Sequence, residues 1–525
     1  MTTESGEVDG LAQSPAKGPA RHEFVTLAGQ RYACIRNVDH LAPFLMSIVS
    51  DSDAWLFVGS NSPFTAGRVD PDGAMFPYQT VDKLLRHADG SGSLSAFRVR
   101  RGGSGPWLWE PWRSESHALP ITRNLYKHVL GTNVLFEEIN HELGLRFTWS
   151  LSTCAQFGLV RHAVLENIGS GPVRVDYLDG FQMLLPPGVG EESYARMSYL
   201  AGAYMRHEVL PDVPLAIYTL NSAMEDKPLP YESLRATCAW SVGHLHPEVI
   251  LSDRSLRAFR AGEKIAVERE LRGDFGSYLV ADGVELEPGG RHSWFTVADT
   301  AIDHARLVLL RDQLAKPNLL EAELHTAVSA DRQSLRGLVA AADGLQETAD
   351  EAATVHHFGS VLFNCMRGGT FLDSYRFPRR DLDTFLRAQN APLHAGVEGW
   401  LATLPETISL DSLRSAVKAT GDSQLIRVCG SYLPLIYSRR HGDPSRPWNR
   451  FSIHVRGENG EPVYGYQGNW RDIFQNWETL AQSFPGFLEQ MLAVFLNAST
   501  ADGYNPYRIS RDGGIDWEVA DPNDP

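Results

Sequence analysis

The chain has 525 residues, 48 Lys and Arg against 64 Asp and Glu, and a formal net charge of −16 at pH 7. It is too long for one hydrophobic core and too acidic to take nucleic acid or an anionic membrane as its main partner. Its 43% hydrophobic and 21% charged content excludes a disordered or fibrous protein. A soluble protein of two or more domains with a small or neutral polymeric ligand is what remains.

Residues 1–22 contain no basic region followed by an apolar stretch, so they read as a disordered leader rather than a signal peptide. No apolar run approaches the roughly 20 residues needed to cross a bilayer. The five cysteines, Cys34, Cys154, Cys238, Cys365 and Cys429, lie far apart and form no CxxC pair. They read as buried, reduced thiols of a cytoplasmic protein.

From residue 23 to 300 the chain produces short runs of alternating polarity bounded by Gly, Pro, Asn and Asp, such as Leu145 to Leu151, Val160 to Leu165 and Val173 to Leu178. Period-two alternation means strands with one face in a core, and many of them at this spacing predict a large antiparallel β-sandwich. Asn167-Ile-Gly-Ser-Gly-Pro172 reads as a hairpin link between two strands, and Gly102-Gly-Ser-Gly105 as a flexible hairpin loop. His244 and His246 fall on one strand face, and His356-His357 opens a helix. No third ligand is spaced to join either pair in a metal site.

The period changes near Ala301. Leu307, Leu310, Leu314, Leu320, Leu324 and Leu335 recur at helical spacing across Pro317, which predicts a helical linker over 301–345. Helices are expected over 352–366, 381–388, 412–419, 471–481 and 486–497, so residues 346–525 read as an all-α second domain. These are fewer helices than a closed double ring requires, which suggests a fragment or one half of a split protein, the rest of the wall coming from a missing C-terminal half or a separate polypeptide. The expected protein partner is that half or a second copy in a homodimer.

Chemistry concentrates in the tail. Helical steps of 100° put Asp472, Gln475, Asn476 and Thr479 on one face of the helix that begins at Arg471, with Ile473, Phe474, Trp477 and Leu480 opposite. The polar face, with Tyr466, Gln467, Trp470 and Arg471 beside it, suits the hydroxyls and apolar ring faces of a sugar. Arg439, Arg440 and His441 stand in a row, and arginine matches tetrahedral oxyanions with paired donors, so phosphate is their candidate ligand. Asp516, Glu518 and Asp521 surround Trp517 in a glycine-rich loop. Cleavage of a glycosidic bond needs a carboxylic acid held beside such a ring.

These motifs resemble those of glycoside phosphorylases of the cellobiose phosphorylase type, the glycoside hydrolase family 94 group. There a barrel helix opens with Phe-Arg-Asp, two residues, and Gln-Asp; here Trp470-Arg471-Asp472 and Gln475-Asn476 occupy those places. The resemblance implies a galactose mutarotase-like supersandwich, a helical linker and the first part of an (α/α)6 six-hairpin glycosidase barrel. It also implies that Asp472 contacts the sugar. The family's sugar-binding arginine, six positions before that aspartate, is Tyr466 here. Aligning Asp521-Pro-Asn-Asp-Pro525 on its final Asp-Pro puts Asn523 where the family has its general acid, which leaves Asp516, Glu518 or Asp521 for that role.

The expected activity is inverting cleavage or formation of a glycosidic bond, with phosphorolysis of a β-glucoside-type di- or oligosaccharide to a sugar 1-phosphate first in line. Inorganic phosphate is then the co-substrate, no metal or other cofactor is needed, and no protein base is required. The alternatives are an inverting hydrolase of the same fold, its carboxyl groups about 6.5–9.5 Å apart, and a carbohydrate-binding protein without a general acid.

Overall fold

The computed structural model describes residues 18–86, 88–113, 120–222, 234–457, 460–512 and 515–516. It divides into two compact units, one of residues 1–332 with 443–448 and one of residues 333–442 with 449–525.

Antiparallel sheets of eleven, five and three strands build the first unit. In the long sheet Leu145–Cys154 lies between Asn133–Asn140 and Gly158–Asn167, which pairs on its other side with Arg291–Ile302. In the five-stranded sheet Val173–Leu184 lies between Gly92–Arg101 and Gly276–Leu286. Alternation along the strands sends Phe147, Trp149 and Leu151 into one core with Phe97, Val99, Tyr177 and Phe181 of the other sheet. The Trp149 ring stacks on Phe136 and Phe147 at centroid distances of 5.1 and 5.3 Å, which gives that core a rigid aromatic centre.

A fully buried ion pair ties the two sheets together. Arg161 of the long sheet donates to both carboxylate oxygens of Asp179 in the shorter one, at 2.5 and 2.8 Å. Trp294 Nε1 and Ser95 Oγ donate to the same carboxylate at 2.7 and 2.6 Å. A buried carboxylate is tolerated only when its lone pairs are met in this way.

Two sequence expectations fail in this unit. Asn167 to Pro172 is not a hairpin link, because Gly158–Asn167 belongs to the long sheet and Val173–Leu184 to the shorter one. Alternation reports that a strand has a buried face and not which sheet it joins. The crossover is fixed by Asn167, whose Nδ2 donates to the carbonyls of Gly171 and Leu286, each at 2.9 Å. Likewise His244 and His246 share no strand face, since the strand Ala236–Val242 ends before them. Asp282 Oδ2 accepts from the backbone N–H of Leu245 and His246 at 2.7 and 2.9 Å and holds that stretch as a turn.

In chain order the long sheet begins with Arg21–Leu27 and ends with Arg291–Ile302, which lies inside it between Gly158–Asn167 and Ala236–Val242. The helices Val81–Arg86, Glu191–Ala203 and Arg254–Ala261, absent from the sequence reading, interrupt the strands. The linker forms the helices His304–Leu314 and Pro317–Ala341. Proline opens the second of them, where its missing N–H has no helical partner to lose. Leu310, Leu314, Leu320 and Leu324 pack with Cys238, Trp240 and Val297 on the outer face of the long sheet.

The second unit carries the helices Glu351–Gly368, Arg379–Gln389, Ala391–Thr403, Leu410–Thr420, Ser423–Cys429, Trp470–Ser483 and Leu488–Ala498. Asp350, Ser409 and Asp422 cap three of them by accepting backbone N–H bonds. The unit is not all-α as expected. Thr370–Phe371 pairs with Leu435–Ile436, Arg376–Pro378 with Thr407–Ser409, and Gln467–Asn469 with Arg508–Ser510, which also pairs with Ile515–Asp516. Strands of two or three residues are too short to leave an alternation signal. Among the described residues no helix is long and apolar enough to cross a membrane, no group of His, Cys, Asp and Glu is arranged to hold a metal ion, and the five cysteines are free and buried.

Candidate functional site

The site begins where two helices of the second unit come unusually close. Gly368 ends Glu351–Gly368, and a Cβ there would lie 2.9 Å from Asn476 Cβ and 3.0 Å from Trp477 Cδ1 of Trp470–Ser483. Glycine is therefore required by the approach itself. Trp477 Nε1 donates to the Gly368 carbonyl at 2.8 Å and Asn476 Nδ2 to Asn364 Oδ1 at 2.8 Å, which locks the crossing.

The arginine-rich loop is tied to the same helix end. Ser438 Oγ donates to the Arg367 carbonyl and Arg439 N–H to the Met366 carbonyl, each at 2.9 Å. Arg440 forms a β-bridge with Ser452, and the Arg439 guanidinium lies 5.4 Å from the Tyr437 ring centre. Arg367 Nη2 donates to His441 Nε2 at 2.6 Å.

These contacts enclose a cleft walled by Arg367, Arg439, Arg440, His441, Asn449, Gln467, Asn469, Asp472 and Asn476. Its volume is about 30 Å³, room for roughly two water molecules or one small anion and not for a sugar ring. The trio Arg439, Arg440 and His441 thus shares one cleft with Asp472 and Gln467. Asp472 sits in the first turn of its helix, where the dipole favours a carboxylate. Asn476 Oδ1 is buried and accepts no hydrogen bond from the described residues. A larger groove of about 860 Å³ runs over the outward face of the long sheet in the first unit, and it is lined by none of the candidate catalytic, sugar-binding or phosphate-binding residues.

Other predicted site residues lie elsewhere. Tyr466 is buried edge-on against Trp477 at 5.0 Å, and burial raises its phenol pKa. Trp470 packs edge-on against Phe495 at 4.7 Å, and neither ring is a wall of the cleft. Arg471 is exposed, 3.7 Å from Asp472. Gln475 and Phe474 are exposed and Asn476 is buried, so the helix's inner face is rotated from the one drawn by sequence. The reason is the Gly368 contact, which takes Asn476 inward with Trp477. Asp516 pairs through its backbone with Arg508 in the strand Ile515–Asp516. Trp517, Glu518 and Asp521 lie outside the described residues.

Sequence reasoning missed Arg367, Asn449 and Asn469. Arg367 looks like a cation complementing a helix C-terminus, and only the fold brings it to a loop 74 residues further on. It also missed the anchor of the tail, Arg511 on Asp381 at 2.6 Å, with Tyr432 Oη donating to the same carboxylate at 2.6 Å.

Residues 371–434 match the model for glycoside hydrolase family 149 insertion domain 1. The matched stretch includes the helices Arg379–Gln389 and Leu410–Thr420, which the sequence reading assigned to the barrel, and none of the cleft residues. No curated protein matches the chain. Among solved structures it is similar to a bacterial glucoamylase complexed with acarbose, at 10% identity and a TM-score of 0.36 over 91% of this chain and 66% of that one. A protein assigned as a kojibiose phosphorylase from the human microbiome aligns at 7% identity and a TM-score of 0.24, over 62% of this chain and 31% of that one. One assigned as an aldose 1-epimerase from Klebsiella pneumoniae aligns at 10% identity and 0.25, over 57% of this chain and 92% of that one. The chain thus spans under two thirds of the glucoamylase and a third or less of the phosphorylase, and likeness at these scores carries no argument. The family 149 match is the finding that links the helical unit to carbohydrate-active enzymes, without singling out the cellobiose phosphorylase type.

Proposed function

We propose that this chain belongs to a carbohydrate-active enzyme that acts on glycosidic bonds with inversion, and that the cleft of the second unit is its phosphate subsite. The observation that supports this reading is the convergence of Arg367, Arg439, Arg440 and His441 with Asp472 in a cleft of about 30 Å³. Guanidinium groups hold a tetrahedral oxyanion with paired donors, and a space of that size suits a small anion rather than a sugar ring. The sugar then lies over the mouth of the cleft, with Asp472 accepting from its hydroxyls. Phosphate oxygen attacks the anomeric carbon while a carboxylic acid protonates the departing glycosidic oxygen, so the carbon–oxygen bond breaks as the new one forms on the opposite face. Asp516, Glu518 and Asp521 are the proposed acids, and a β-glucoside-type di- or oligosaccharide is the proposed substrate.

Hydrolysis is the second reading, favoured by the surplus of carboxylates near the tail. Product analysis on a panel of β-linked glucosides separates the two: sugar 1-phosphate formed only when phosphate is supplied supports phosphorolysis, and free sugar released without it supports hydrolysis. Replacing Asp516, Glu518 and Asp521 singly by their amides identifies the acid, and unchanged turnover in all three removes them from the role.

A further inference from the structure

Arginine carries five N–H donors and no acceptor. In the 2.6 Å contact between Arg367 Nη2 and His441 Nε2 the imidazole nitrogen must therefore accept. A neutral imidazole accepts through one nitrogen and carries its proton on the other. From this geometry we infer that Arg367 is a positioning residue for His441, fixing it as the neutral tautomer with the proton on Nδ1.

The contact is braced from both sides. Arg367 lies with its guanidinium carbon 4.0 Å from the ring centre of Phe363, one turn earlier on its own helix. The Phe363 ring in turn meets the His441 ring edge-on, 6.0 Å away at 73°. On the loop side, the bonds from Ser438 Oγ and Arg439 N–H to the helix end fix where His441 begins. A protonated imidazole would turn an Nε2–H against the guanidinium, so this arrangement excludes it. Among the described residues Arg439, Arg440 and Asp472 are the other charged walls. The cleft's positive charge is thus carried by arginines, and His441 is a neutral member of the set. What His441 is for rests on the phosphate reading above; its tautomer does not.

The test is 15N NMR of the full chain labelled at histidine, with the His441 signal identified by its loss in His441→Gln. The unsubstituted protein is expected to show Nδ1–H at this residue. Arg367→Met keeps a long stem over Phe363 and removes the donor. His441 should then move to mainly Nε2–H, and the Kd for inorganic phosphate should rise about tenfold. Arg367→Lys restores a donor and should restore the Nδ1–H form. Nε2–H in the unsubstituted protein, or a tautomer unchanged in Arg367→Met, overturns the inference. An unsubstituted protein that binds no phosphate sinks the phosphate reading, while the tautomer comparison still decides this one.

Discussion

Arg511 and Asp381, 130 residues apart in sequence, meet at 2.6 Å with side chains only 6% and 5% exposed. Arg511 Nη1 also donates to the Tyr464 carbonyl at 2.9 Å, so one residue near the end of the described chain holds the short sheet that precedes the cleft helix.

Arg511→Ala leaves the Asp381 carboxylate buried without its cation, and breaking such a pair costs about 3–5 kcal/mol. Burial already raises the Asp381 pKa, and Arg511 is the main opposing influence. An acid whose folded pKa is raised gives stability below its unfolded pKa and loses it as pH rises through the folded one. The variant should therefore be weakest near neutral pH and recover towards acid, relative to the unsubstituted protein. Urea unfolding at several pH values checks this, and a deficit independent of pH contradicts it.

The Arg511–Asp381 anchor also marks what the sequence could not disclose. The alternation at Leu145 to Leu151 and the leucine spacing of 307–324 predicted a sandwich and linker helices because each depends on periods within one segment. The Arg161–Asp179 pair, the crossover at Asn167 and the Arg367–His441 contact depend on which segments meet, and no local period encodes that. The tail's arginine row and Asp472 were legible as chemistry. Their joining in one cleft was not, because it is set by the close approach at Gly368. The rotation that buries Asn476 and exposes Gln475 has the same origin.

Gly368→Ala tests that approach. The added methyl meets Asn476 Cβ and Trp477 Cδ1 inside contact distance, so the helices must separate by a few tenths of an ångström. Overpacking of this kind costs about 1–3 kcal/mol. The Trp477–Gly368 bond should weaken, visible as faster hydrogen exchange of the Trp477 indole N–H. Unchanged exchange and stability would show that the crossing has slack.

Acid should destabilise the first unit through its buried histidines. Burial lowers the pKa of His128 and His207 to about 4, from a usual value of 6.5. Both are uncharged in the folded protein across this interval, whereas the unfolded chain takes up protons. The stability they support is present above about pH 6.5 and is lost as pH falls towards 4. His207→Gln should reduce the pH slope of the unfolding free energy by up to about 1.4 kcal/mol per pH unit in that interval. A slope identical to that of the unsubstituted protein contradicts the assignment.

The central claim is that Arg439 and Arg440 wall a phosphate subsite, and calorimetric titration of the full chain with inorganic phosphate tests it most directly. The account predicts saturable binding that weakens as salt is raised, and a loss of at least about tenfold in affinity in Arg439→Ala and in Arg440→Ala. Absence of binding, or an affinity in both variants unchanged from that of the unsubstituted protein, would contradict it.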